Sequence, residues 1–251
     1  MSEINKIKQF LESADPDNAQ FFFVKRGQAG SDYKYTILKA NIEPNLAQEL
    51  LNIGTGQAEK LSNEAEQREY PGPLSFDRLY VLTRKVRNVP YLESVLSKLA
   101  AVGSEPFVET VKNIRGYALR LQSVDTSLYL FKKYPQMKGV RRKKWVAFKK
   151  GKLILVDEAP LMIFMDYDAA ILLQQSTLAD ETVCIFNVRK FESLFSFYQY
   201  YRNKLEQIGA RLPVQSFLDD SQLFLKHCMK DPAKLRKMYT ILEGGDLEKI
   251  R

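Results

Sequence analysis

The sequence predicts an α+β fold, a mostly antiparallel sheet with flanking helices and a helical C-terminal region. Residues 115–122, 127–131, 144–148, 153–156 and 183–186 are short runs with the composition of strands, joined by segments mostly too short for a parallel crossover. Leu92, Val95, Leu96, Leu99 and Val102 form a stripe at 3.6-residue spacing, the mark of a helix packed on a core. Beyond Asn187 the apolar residues recur at helical spacing almost to the end.

Taken in order, Ile4, Ile7, Lys8, Phe10 and Leu11 have the spacing of a short amphipathic helix over residues 3–13, stopped by Asp15-Pro16. Residues 21–25 and 33–39 read as two strands joined by a turn over 27–32, where Gly27 and Gly30 suit a hairpin loop. A helix follows Pro44 with Leu46, Leu50, Leu51 and Leu61 on its buried side, although Gly54-Thr55-Gly56 interrupts the pattern. Tyr70-Pro71-Gly72-Pro73 is the clearest break, ahead of a strand at 79–83. Lys149-Lys150-Gly151-Lys152 has the composition of a hairpin turn. Asn187 is a candidate N-cap for one helix to about residue 208, with Phe191, Leu194, Phe195, Tyr198 and Leu205 on its inner face. Two more helices are expected at 216–229 and 232–242.

A chain of 251 residues that is 45% hydrophobic and 12% aromatic can bury a core without metal or disulfides. One domain over residues 1–251 is expected, or two lobes dividing at residue 75. The longest apolar runs, 169–173 and 183–186, fall well short of the roughly 20 residues a membrane-spanning helix needs. No secretory signal pattern opens the chain, so the expected location is cytoplasmic. Cys184 and Cys228 read as buried reduced thiols.

The formal net charge of +8 is not spread evenly. Ten basic residues and no acidic one lie between Lys132 and Lys152; the other 28 basic and 30 acidic residues leave −2. One segment therefore supplies the whole positive excess. Such a segment is the footprint of a phosphate-backbone binder, since each neutralised phosphate releases condensed counterions. Arg141, Arg142, Lys143, Lys144, Lys149, Lys150 and Lys152 are the candidate phosphate contacts. Trp145, Phe148 and Tyr134 are interleaved with them and suit either base stacking or a core. A solvated face, an acidic protein partner or an anionic lipid surface would also account for the run.

Catalytic constellations are sparse. His227 is the single histidine, and one histidine with two distant cysteines cannot make a zinc site. Asp157, Glu158 and Asp166 form the best carboxylate set for a metal-dependent nuclease, although Asp166 equally suits a turn. Gly54-Thr55-Gly56-Gln57 lacks the lysine of a phosphate loop. No cofactor is expected, and a non-enzymatic binding role is the first reading. Glu192 suits the start of a helix or a partner subunit. Phe197, Tyr198, Tyr200 and Tyr201 exceed one helical face, so they pack a core or form a contact with a second chain.

Four segments resemble the Kiwa KwaB-like family of anti-phage defence effectors. They are Arg87-Asn88-Val89-Pro90-Tyr91-Leu92; Leu130-Phe131-Lys132-Lys133-Tyr134; Lys143-Lys144-Trp145-Val146-Ala147-Phe148 running into Gly151-Lys152-Leu153; and Asn187-Val188-Arg189-Lys190-Phe191-Glu192-Ser193-Leu194-Phe195. The resemblance covers most of residues 20–210. It implies a DNA-binding effector that pairs with a membrane-embedded sensor protein, is recruited by it to the inner face of the membrane, forms a homodimer, and impairs phage DNA replication or late expression.

Overall fold

The computed structural model describes residues 1–29, 32–71, 78–101, 114–134, 145–149, 152–156, 166–174, 177–209 and 221–243. It divides into two compact units, Met1–Phe195 and Ser196–Arg251. The first holds an eight-stranded sheet, antiparallel at every pairing but one.

The strands of that sheet are β1 (Ala19–Ala29), β2 (Asp32–Ala40), β3 (Glu66–Glu69), β4 (Tyr80–Lys85), β5 (Ile114–Gln122), β6 (Thr126–Lys133), β9 (Ala169–Gln174) and β10 (Thr182–Ile185). Their order across the sheet is β2-β1-β5-β6-β9-β10-β4-β3, so strands from residues 1–75 and from the rest of the unit share one ladder system. The exceptional pairing is β3 with β4, which is parallel. The remaining strands, β7 (Trp145–Lys149) and β8 (Lys152–Val156), form a separate hairpin whose last pair is Lys149 with Lys152, at the ends of the turn the sequence predicts. The backbone of β8 runs beside that of α2 (Pro44–Glu64).

Helices cover both faces of the sheet. On one face, Ile4, Ile7 and Leu11 of α1 (Glu3–Glu12) and Leu46, Leu50, Leu51, Ala58 and Leu61 of α2 share a core with Phe21, Phe23, Tyr117, Leu119, Leu128 and Leu130. The alternate residues Phe22, Val24, Ala118, Tyr129, Phe131 and Ile171 are buried on the other face. There α3 (Leu92–Ala101) reaches β2 through Lys98, whose ammonium donates to the Tyr35 carbonyl at 2.8 Å. On the same face α4 (Val188–Leu194) packs through Phe195, whose ring centroid lies 5.5 Å from that of Phe131, and accepts the Tyr35 hydroxyl at the Leu194 carbonyl, 2.8 Å. Each fully buried Leu or Phe contributes about 1.5–3 kcal/mol through burial alone.

Four expectations change. The β1–β2 hairpin is longer than predicted: Gly27 pairs with Lys34 inside the ladder, and pairing continues to Ala29 with Asp32. The Gly54-Thr55-Gly56 sequence does not interrupt α2, because Gly54 is where the helix crosses the sheet closely; an added Cβ would stand 3.0 Å from Leu130 Cδ1. The helix expected over 188–208 is two, α4 and α5 (Phe197–Gly209), separated at Ser196 with a left-handed φ of 59°. Two strands, β3 and β9, went unrecognised in sequence. β3 is wholly polar and β9 lacks alternation, since both of its faces are covered. The strand-like segment 161–165 lies outside the described residues.

The second unit holds α5, α6 (Ser221–Cys228) and α7 (Pro232–Glu243). Tyr201 meets Tyr239 of α7 at 4.5 Å between ring centroids, and Tyr200 meets it at 5.7 Å. Phe197 and Tyr201 are buried, and the Tyr198 hydroxyl donates to the Met229 carbonyl at 2.7 Å. The aromatic surplus of α5 thus finds partners within its own unit.

Cys184 and Cys228 are free and buried, and burial pushes both thiols above the ordinary cysteine value. Iodoacetamide at neutral pH should therefore leave both unmodified in the folded chain, as read by intact mass, while a urea-unfolded control is fully alkylated. Rapid labelling of the native protein would contradict the described burial.

Candidate nucleic-acid interface

Lys132 and Lys133 open the basic segment as the last two residues of β6, and adjacent strand residues project to opposite faces. Lys132 turns inward. It is 4% exposed, its ammonium donates to Asp168 Oδ1 at 3.1 Å, and it also bonds the Asp166 carbonyl. Lys132 is therefore neutralised inside the fold and adds nothing to an outward field, which corrects its place in the basic run.

Asp168 is the hub of this end of the sheet. Its own N–H donates to the Phe131 carbonyl at 2.8 Å, and its carbonyl accepts the N–H groups of Phe186 and Asn187 at 2.9 and 3.0 Å. Its carboxylate further accepts the Lys133 backbone N–H at 2.7 Å, and Lys190 Nζ stands 3.9 Å away. Lys190 is carried there by α4, whose N-cap is Asn187 as the sequence predicts; the Asn187 side chain accepts the Lys190 N–H at 3.1 Å. Burial pushes the Asp168 carboxyl up and the Lys132 ammonium down, each opposed by their pairing.

Lys133 is different. Its side chain is half-buried and has no ion-pair partner among the described residues. Burial, then the positive charges of Arg115, Arg26 and Lys190, hold its ammonium below the ordinary lysine value, with Asp168 opposing. Arg115 lies on the adjacent strand, where its carbonyl accepts the Tyr134 N–H at 2.8 Å and its buried Nε has no hydrogen-bond partner among the described residues. Arg26, on β1, donates to the Ser193 carbonyl at 3.3 Å and lies over the Tyr33 ring, 4.5 Å from its centroid. Lys132 and Lys190 thus stand beside Asp168, and Arg26 and Arg115 join Lys190 in acting on the neighbouring Lys133. Sequence reasoning missed this set because Arg26, Arg115 and Lys190 are single cations on β1, β5 and α4, and only Lys132 and Lys133 belong to the basic run.

Of the predicted phosphate contacts, Arg141, Arg142, Lys143, Lys144 and Lys150 lie outside the described residues. Lys149 and Lys152 are the closing backbone pair of the β7–β8 hairpin. Asp157 and Glu158 also lie outside the described residues, while Asp166 is exposed. Among the described residues no three His, Cys, Asp or Glu side chains are grouped to hold a metal ion. His227 is exposed on α6. Glu192 is buried and accepts the Tyr70 hydroxyl at 2.5 Å, so it serves packing within its unit rather than a partner surface. Among the described residues no helix is long and apolar enough to cross a membrane.

A family model described as Kiwa protein KwaB-like matches residues 111–250. Searches of curated proteins and of solved structures returned no match. The matched region contains Arg115, Lys132, Lys133, Asp168 and Lys190 together with the whole basic run, and leaves Arg26 and the Arg87–Leu92 segment outside it. More than half of the chain is covered, and two of the four segments that carried the resemblance, 130–134 and 187–195, supply three of the clustered cations and the α4 cap. The chain belongs to the Kiwa KwaB-like family, and its role is in anti-phage defence.

Proposed function

We propose that the chain is a DNA-binding defence effector that grips the phosphate backbone through Arg141, Arg142, Lys143, Lys144, Lys149, Lys150 and Lys152, with little sequence preference. It acts as a homodimer beside a membrane-embedded sensor protein of the same system. The observation that carries the DNA reading is the charge distribution: ten cations without one acid between Lys132 and Lys152, in a chain otherwise close to neutral. Lys133 and the cations around it extend that surplus onto folded sheet at the point where the run begins. Phosphate contacts position a protein without reading bases, so affinity should depend on salt more than on sequence.

Fluorescence anisotropy with two unrelated duplexes across a salt series tests this. If all seven side chains reach phosphates, log affinity falls with log salt at a slope of about −6. The variant R141E/R142E/K143E/K144E should lose at least tenfold in affinity for both duplexes while keeping its thermal melt. Unchanged affinity in that variant rejects the reading. If wild-type protein ignores DNA at low salt yet the same variant loses capture by acidic vesicles or by the sensor protein, the basic run is a docking surface instead. Intact plasmid after incubation with magnesium or manganese would dismiss nuclease action by Asp157, Glu158 and Asp166, with Asp166→Ala as the control should cleavage occur.

A further inference from the structure

We propose that Lys133 and Arg115, framed by Arg26 and Lys190, form a seat for a single phosphate group on the folded sheet, distinct from the contacts of residues 141–152. Three neighbouring strands build it. Gly116 pairs with Lys133, the Arg115 carbonyl holds the Tyr134 N–H at 2.8 Å, and β1 is brought alongside through Lys25 opposite Ile114, just past a register shift. Helix α4 completes the frame, because its first turn carries Lys190 to within 3.9 Å of Asp168 and the Ser193 carbonyl near its end accepts Arg26.

The division of labour among the cations points to a ligand. Lys132 and Asp168 satisfy one another at 3.1 Å, and Asp168 also receives the Lys133 N–H at 2.7 Å. Arg26 is held by a carbonyl and an aromatic face, so these groups make a rigid positive wall. Among the described residues two groups remain uncommitted: the Lys133 ammonium, with no ion-pair partner, and Arg115 Nε, which is buried without a hydrogen-bond acceptor. Buried polar atoms in folded proteins almost always find a partner, and an oxyanion would supply one to both. Lys133 feels the positive charges of Arg115, Arg26 and Lys190 against the one carboxylate of Asp168, a local surplus that a single carboxylate ligand would only partly offset. A phosphate carries up to two charges and several acceptor oxygens, and it suits the planar donor fork of arginine.

Two sources of that chemistry are separable: the phosphodiester of nucleic acid, which rests on the DNA reading above, and a free phosphate group, which does not. The probes are inorganic phosphate, followed by thermal melting at constant ionic strength against chloride, and a duplex, followed by anisotropy. The variants are K133Q and R115Q, with K133R as the charge-retaining control. Phosphate should raise the melting temperature of wild type and K133R clearly more than that of K133Q or R115Q. On DNA, K133Q should bind several-fold more weakly with a salt slope smaller by about 1, and the loss should persist in the R141E/R142E/K143E/K144E background. If phosphate stabilises wild type selectively but no DNA is bound, the seat stands as a free-phosphate site and the DNA reading falls. If K133Q and R115Q match wild type in both the phosphate response and DNA binding, the seat is overturned while the DNA reading survives.

Discussion

Alanine in place of Asp168 should destabilise the Met1–Phe195 unit by about 3–5 kcal/mol, the characteristic cost of removing one partner of a buried ion pair. The carboxylate is 1% exposed and its partner Lys132 is 4% exposed, so truncation strands a charge that water cannot reach. It also removes the acceptor of the Lys133 N–H, leaving that donor unsatisfied. Denaturant titration checks the value, and a loss below about 1 kcal/mol would show that solvent reaches the pair. The double variant K132M/D168L, which removes both charges, should recover most of the loss. K132M alone adds a test of sign. Burial already lifts the Asp168 carboxyl above its ordinary value of 3.8, and loss of Lys132, whose charge lowers it, lifts it further. A carboxyl that binds its proton more readily when folded favours the folded state as protons are added. K132M should therefore gain stability relative to wild type as pH falls from the raised folded value toward 3.8.

Gly116→Ala should cost about 3 kcal/mol, the upper part of the range for overpacking. An added Cβ would stand 2.4 Å from the Lys132 carbonyl oxygen and 2.8 Å from Leu194 Cδ1. The first neighbour is backbone of the paired strand and cannot swing aside, so relief requires parting β5 from β6 or lifting α4 from the sheet. Either movement displaces Lys133 or Lys190. The variant should thus lose the phosphate-dependent rise in melting temperature as well as stability. Gly56→Ala provides the contrast. Nothing lies within 4 Å of its added Cβ, and in a helix interior the change should stabilise by about 0.5–1 kcal/mol. Equal melting temperatures for the two variants would show that the β5–β6 approach is looser than described.

Patterns with a short range were legible in the chain itself. The stripe Leu92, Val95, Leu96 and Leu99 became the buried side of α3, and Asn187 caps α4 through its side chain. The β7–β8 hairpin pairs Lys149 with Lys152, the two ends of the turn that the sequence predicts. Each follows from residues within a few positions of one another, where side-chain period and turn chemistry act directly. Where the pattern was blank, so was the reading: β3 carries no apolar side chain, and β9 is apolar from Ala169 to Leu173 without alternation because both of its faces are covered.

By itself the sequence determined the α+β class, the concentration of positive charge between Lys132 and Lys152, and kinship with the Kiwa KwaB-like family over residues 111–250. Tertiary structure alone decided which cations remain available. Lys132 and Lys133 are neighbours of the same type, yet one is consumed by Asp168 and the other is free of an ion-pair partner among the described residues. The reason is physical: a strand sends successive side chains to opposite faces, and whether a charge meets a carboxylate or solvent depends on which strand and helix lie beside it. Arg26, Arg115 and Lys190 are likewise unremarkable until β1, β5, β6 and α4 meet, since Coulomb interactions follow distance in space rather than along the chain.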